Sequence, residues 1–208
     1  IWFTPSSSPF GKGRVREGFS STVYSILYTV YYNYGRLMEF IVDHNVGKLA
    51  RWLRMMGYDS VFFTGEDDSR MVSQALAEGR ILLTRDTGIM LRRMVTTGRV
   101  RAILMESEVP EEQMRQLMSL LDLKNEARPF TICLEDNELL ISATAESVKD
   151  RLPPYVLKTQ AQYMECPTCR RVYWRGTHWL AMLHKLEKLT GMKENWDIKS
   201  GRSDHESI

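Results

Sequence analysis

The sequence predicts an α/β protein: a parallel sheet with flanking helices, plus a small C-terminal module organised by cysteines. Three observations lead there. Short apolar runs alternate with segments of helical periodicity from about residue 39 to residue 121, the pattern of strands joined by crossover helices. Two of those runs, Phe40-Ile41-Val42 and Ile81-Leu82-Leu83, are followed by an acid, Asp43 and Asp86. Past about Asn125 the alternation stops, and Cys133, Cys166 and Cys169 fall in the segment that follows.

The elements are expected in this order. Glu39 to Val42 is the first strand. Asn45 to Met56 reads as a helix, with Val46, Leu49, Ala50, Leu53 and Met56 at helical spacing and Gly57 as its stop. Tyr58 to Phe63 is the second strand. Asp67-Asp68-Ser69 offers N-caps to a helix whose apolar face is Met71, Val72, Ala75 and Leu76 and which ends at Gly79. The Ile81 strand follows, then a helix from Thr87 to Thr97 and a fourth strand from Val100 to Met105. Pro110, suited to a first helical turn, opens a helix with Met114, Leu117, Met118 and Leu121 on one face. Phe130 to Cys133 is strand-like, Arg171 to Trp174 is a strand, and Trp179 to Leu189 is a helix.

Domain boundaries follow from these changes of pattern. Residues 38–124 form the sheet domain, 125–189 the cysteine module and 190–208 a polar, disordered tail. Residues 1–37 differ in composition: a Ser/Pro/Gly loop, then an aromatic and β-branched stretch from Phe19 to Tyr34. Met38 directly precedes the first strand, and the upstream stretch is read as an accessory extension. A length of 208 residues suits one α/β domain and a smaller partner, and 43% hydrophobic residues excludes a wholly disordered chain. No apolar run reaches the roughly 20 residues of a membrane span. An odd number of cysteines argues against a secreted disulfide framework and for a reducing, cytoplasmic setting.

Two constellations carry chemistry. Parallel sheets bind ligands at the carboxyl ends of their strands. Asp43 and Asp86 lie there, and Asp68 opens the helix after the second strand. Three carboxylates at one sheet edge suit Mg²⁺ or Mn²⁺, which prefer oxygen ligands. Capping the helices that follow is the plainer role for each acid taken singly. Net charge is only +2, yet bases are dense around the acids, as a phosphate polymer would require. Lys48, Arg51 and Arg54 on one helix, with Arg85 beside Asp86, are the expected backbone contacts. The second constellation pairs Cys133-x-x-Asp136 with Cys166-x-x-Cys169, some thirty residues apart. That is zinc-ribbon spacing, and Zn²⁺ takes four ligands. Asp136 supplies the fourth, His178 and His184 are substitutes, and a site without metal is the remaining alternative.

Read together, Phe40-Ile41-Val42-Asp43, Gly47-Lys48-Leu49-Ala50-Arg51-Trp52-Leu53-Arg54-Met55-Met56-Gly57-Tyr58-Asp59, Ile81-Leu82-Leu83-Thr84-Arg85-Asp86, and Cys166-Pro167-Thr168-Cys169 with Val172-Tyr173-Trp174-Arg175-Gly176-Thr177-His178 resemble the Mut-7 C-terminal RNase domain family. The resemblance spans about residues 38 to 187. It implies a PIN-like nuclease fold followed by a zinc ribbon. It also implies a metal-dependent ribonuclease that hydrolyses RNA phosphodiesters, with Asp43, Asp68 and Asp86 as its acidic site. The family has a second Cys where this chain has Asp136. The rival expectation is a non-catalytic RNA- or protein-binding module that uses the ribbon.

Overall fold

The structure is a computed structural model and describes residues 38–191. The expectations for residues 1–37 and for the tail from 192 onward lie outside the described residues. Four parallel strands form the main sheet in the order β2-β1-β3-β4: β1 (Phe40–Val42), β2 (Ser60–Phe62), β3 (Ile81–Thr84) and β4 (Ala102–Leu104). Between them run α1 (Lys48–Met55), α2 (Asp68–Glu78), and the short α3 (Thr87–Met90) and α4 (Arg93–Thr96); α5 (Pro110–Leu120) follows β4.

The apolar runs are continuous because both faces of the sheet are covered. Phe40, Val42, Ile81 and Leu83 face a core shared with Leu49 and Leu53 of α1 and Met114 and Leu117 of α5. Ile41 and Leu82 face the other way, onto Met71, Val72 and Ala75 of α2 and Ile89 of α3. The alternation within each strand assigns each residue to a layer.

The expected helix from residue 45 is preceded by a tight 3₁₀ turn, His44–Val46, before α1 begins at Lys48. The single helix expected from Thr87 to Thr97 is two. Arg92 is extended, at φ −66° and ψ 139°, and its guanidinium reaches Asp68 and Ser69 on α2. Gly57 ends α1 as expected, at φ +87°. It has a second reason to be glycine. An added Cβ would lie 2.1 Å from the Arg128 carbonyl oxygen, where the chain returns to donate from Arg128 and Phe130 N–H to the Met56 and Met55 carbonyls.

The cysteine module contains more structure than its sequence suggests. Three antiparallel strands, β5 (Ile141–Ala143), β6 (Tyr163–Glu165) and β7 (Val172–Tyr173), form a second sheet. Two short helices, α6 (Ala145–Val148) and α7 (Pro154–Thr159), lie between β5 and β6. The strand expected at Phe130–Cys133 is one bridge, Ile132 to Leu139. The last helix, α8 (Thr177–Thr190), starts two residues before the expected one. Its Leu186 is buried in the first core, against the sheet domain. Thr190, placed in a tail by the sequence, is its buried last residue.

Arg54 fastens the module to the sheet. Although on a helix expected to face a ligand, it is 7% exposed. Its Nε and Nη2 donate to the Ser60 carbonyl at 2.9 and 2.8 Å, and its Nη1 donates to the Leu134 and Glu135 carbonyls at 2.9 and 2.7 Å. Asn137 adds a second tie, accepting from Ser60 N–H at 2.7 Å and donating to Asp59 at 2.6 Å. Arg54→Met, which strands three carbonyls, is expected to lower unfolding free energy in urea by about 3 kcal/mol. Arg51→Ala, which removes an exposed ion pair to Glu135, is expected to cost less than about 1 kcal/mol. Equal losses from the two would contradict the tie.

Candidate active site and candidate metal centre

The chain leaves β1 toward β2 on one side and returns to β3 on the other. The crevice where strand order reverses is therefore at the carboxyl ends of β1 and β3, the place where open α/β sheets take ligands. Asp43 and Asp86 stand at that crevice. Asp43 is 2% exposed, an unusual burial for a carboxylate. Its Oδ2 accepts from Thr84 Oγ1 at 2.6 Å and from Asn45 Nδ2 at 2.7 Å, and its Oδ1 lies 2.8 Å from His44 Nδ1.

Thr84 joins the two acids. Fully buried at the end of β3, its hydroxyl donates to Asp43 and accepts from Asp86 N–H at 2.9 Å. Asn45 makes a parallel bridge, donating to Asp43 while its Oδ1 accepts from Arg85 N–H at 3.1 Å. Neither Thr84 nor Asn45 was singled out from sequence. Their signal was position, each within two residues of a strand-end acid. Asp86 Oδ1 accepts from Gly88 N–H at 2.7 Å, so Asp86 caps α3.

Asp68 has contacts of its own. It is the first residue of α2, and the cap is Asp67, whose Oδ1 accepts from Ser69 N–H at 2.8 Å. Asp68 Oδ2 lies 3.2 Å from Arg92 Nη2. The structure also puts acids just past β4. Glu106 follows Met105, and Glu108 pairs with Arg85 Nη2 at 2.8 Å. The apolar run through Met105 ends in Glu106 as the run through Val42 ends in Asp43, a parallel the sequence reading passed over.

Of the expected phosphate contacts, Lys48 and Arg51 are exposed on α1 and Arg85 is partly exposed. Arg54 is a correction: it is buried, and its donors are spent on carbonyls. α1 is preceded by Gly47, with no side-chain cap and no acid in its first turn, and it continues the His44–Val46 turn.

The cysteine site is built from two turns of the same geometry. Cys133 N–H donates to the Glu138 carbonyl and Cys166 N–H to the Arg171 carbonyl. Asn137 N–H donates back to Cys133 and Arg170 N–H back to Cys166. Asn137 and Arg170 both have φ of 62°. The flanking pairs, Ile132 with Leu139 and Glu165 with Val172, correspond as well. Each turn aims its first and fourth side chains inward. Ligand atoms of Cys133, Asp136, Cys166 and Cys169 all lie within 4.8 Å of one another. Cys133 and Cys169 sulfurs are 3.8 Å apart, and Asp136 Oδ2 is 3.3 Å from Cys166 Sγ. A tetrahedral ion with metal–sulfur bonds of about 2.3 Å has an S···S edge of about 3.8 Å. Among the described residues no other group of three or more His, Cys, Asp or Glu is gathered this way, the three aspartates included. His178 and His184, the substitute ligands, are outside the group.

The site's protons are unequally held. Burial pushes the Cys166 thiol up to about 12, and burial with the Asp136 contact raises Cys169. Burial also acts against ionising Cys133, but hydrogen bonds from Tyr173, 3.1 Å away, and from the Asp136 and Glu135 N–H groups prevail and lower it. Contacts from Cys169 and Cys166 hold the Asp136 carboxyl below its ordinary value.

Thr84→Val keeps the shape and removes the hydroxyl that links the Asp43 carboxylate to the Asp86 N–H. It is expected to cost about 1–3 kcal/mol in urea unfolding, with Thr84→Ser retaining most of that stability. If Val and Ser behaved alike, the hydroxyl bridge would not be the reason for Thr84.

Comparison with known proteins adds a family. Neither the curated proteins nor the solved structures gave a significant match. A family model, described as the Mut7-C RNAse domain, matches residues 38–186. That span begins two residues before β1 and ends in α8, so it covers both sheets and both constellations. The chain belongs to the Mut7-C RNAse domain family.

Proposed function

We propose that this protein is a metal-dependent ribonuclease that hydrolyses RNA phosphodiester bonds at the carboxyl ends of β1 and β3. The observation that carries the reading is the buried Asp43 carboxylate, oriented by Thr84 and Asn45 beside Asp86 at the point where strand order reverses. The family's name supports RNA as the substrate class.

The donors fit a hard divalent cation, because they are all carboxylate oxygens. A carboxylate has about four acceptor positions. Asp43 spends three on Thr84, Asn45 and His44, while Asp86 accepts at Oδ1 from Gly88. Asp43 and Asp86 would hold Mg²⁺ or Mn²⁺, with Asp68 joining once released from Arg92. When bound, such an ion would supply a lowered pKa for water and charge neutralisation at the phosphate. Asp43 is held in one orientation by its neighbours, so little reorganisation is needed at the moment of reaction. Lys48, exposed at the first residue of α1, favours a phosphate beside it. Arg85, next to Asp86, is placed to hold another.

In the second site, Cys133, Asp136, Cys166 and Cys169 are proposed to hold a structural Zn²⁺. The closed geometry supports a folding role over a catalytic one, since a catalytic zinc keeps an open position.

A second reading, an RNA-binding module without catalysis, is favoured by the clamp of Arg92 on Asp68. Cleavage of labelled single-stranded RNA with Mn²⁺ or with EDTA separates the two. Wild-type protein is expected to cleave with Mn²⁺ only, and Asp43→Asn to lose at least about 100-fold in rate. Undiminished cleavage by Asp43→Asn would remove the acid site from the mechanism. Binding that survives EDTA with no cleavage would favour the module.

The zinc proposal has a pH signature. Cys166 and Cys169 hold their protons above their ordinary values, so at neutral pH an incoming ion must displace them. Affinity therefore rises with pH, by at least about tenfold per unit between pH 6 and 8. Competition with a chromophoric chelator measures it, and a flat profile would contradict thiolate ligation.

A further inference from the structure

A groove of about 1170 Å³ opens between α1, the loop from Arg128 to Glu135, the second sheet, α7 and the start of α8. It exceeds the roughly 300–1,000 Å³ of small-molecule sites. Its charge is one-sided. Four arginines line it, Arg51, Arg128, Arg171 and Arg175, against a single acid, Glu135. Arg51 and Arg171 both pair with that Glu135, at 2.8 and 3.2 Å, so one carboxylate serves two guanidiniums.

Aromatic rings are set among these charges. Trp174 and Trp179 line the groove partly exposed, and Tyr155 at the start of α7 is 67% exposed. Arg175 lies over the Trp179 ring at 5.4 Å, and Trp179 packs against Phe130 at 5.0 Å. Cations interleaved with partly exposed aromatic rings are the chemistry of single-stranded nucleic acid tracks: bases stack and phosphates pair. An acidic peptide would use the arginines and leave the rings idle.

Helix α1 links the groove wall to the acidic edge. Arg51, on its wall, is one helical turn and about 4.5 Å of rise from Lys48. Lys48 is the first residue of α1, and only the short His44–Val46 turn and Gly47 separate it from Asp43.

We propose that this groove is a track for single-stranded RNA, which leads the strand along Arg51 and Lys48 to the acids at the sheet edge. The inference rests on the ribonuclease reading for its substrate, but binding tests it without cleavage. A substrate that fills both regions must be longer than the few nucleotides the acids alone would hold.

The test uses full-length Asp43→Asn protein and a fluorescein-labelled 16-nucleotide RNA, with anisotropy read across a salt series. Arg175→Glu is expected to weaken binding about tenfold and to flatten the logarithmic salt slope by at least about 0.7. Tyr155→Ala is expected to weaken it about fivefold or more with the slope unchanged. Both positions are exposed, and circular dichroism checks the fold. Wild-type affinity in both variants would overturn the track, as would displacement of the RNA by poly-glutamate as readily as by unlabelled RNA. The two readings fail separately. Loss of binding in these variants from a protein that never cleaves would leave the track and remove the nuclease. Metal-dependent cleavage by wild-type protein, with RNA binding untouched by both variants, would do the reverse.

Discussion

The guanidinium of Arg54 is the constraint on which much of this structure depends. It sits at the end of α1 and reaches three carbonyls: Ser60 at the start of β2, and Leu134 and Glu135 inside the first cysteine turn. Five donors in a fixed plane suit such a junction better than any other side chain. Burial lowers its pKa from the ordinary value, and Cys133, Asp59, Glu135 and Asp136 act to restore it. The charge that joins the two parts is thus stabilised by the metal-site residues themselves. Holding the first turn against the sheet fixes the wall of the groove, and α8 closes back onto the same core through Leu186.

The two ends of the main sheet have different duties. At the amino end, Arg80 gathers Asp59, Glu78 and Glu39, and Asn137 joins that cluster through Asp59. The Asn137 contact binds the module to the domain. At the carboxyl end, the buried Thr84 hydroxyl donates to the Asp43 carboxylate and accepts from the Asp86 N–H. Burying the Asp43 carboxylate to 2% exposure is costly unless the charge is satisfied, and its three close contacts supply that. A stabilising scaffold has no need to bury a carboxylate at a strand end, whereas a ligand site gains a fixed acceptor from it.

The sequence made the sheet legible for a definite reason. Strands buried on both faces are written as uninterrupted apolar runs, so Phe40–Val42 and Ile81–Leu83 stood out. The group of three cysteines and Asp136 was legible too, because a ligand turn needs its pair at fixed spacing. Other features depend on partners distant in the chain. Arg54 resembled a phosphate contact because its neighbours Lys48 and Arg51 are exposed, and nothing local reveals that it meets residue 134. The break at Arg92 answers to Asp68, 24 residues earlier. β5, at three residues, and the short helices α6 and α7 are too brief for any period to register. Thr84 and Asn45 carry no pattern beyond their place beside an acid.

The proposed ribonuclease requires Asp43 and Asp86 to share a divalent cation at the carboxyl edge of the sheet. Anomalous diffraction from crystals soaked in Mn²⁺ tests it most directly. A peak within direct ligand distance of an oxygen of each aspartate is expected, absent from crystals of Asp43→Asn. Ordered crystals with manganese at neither aspartate, or at the cysteine cluster alone, would contradict it.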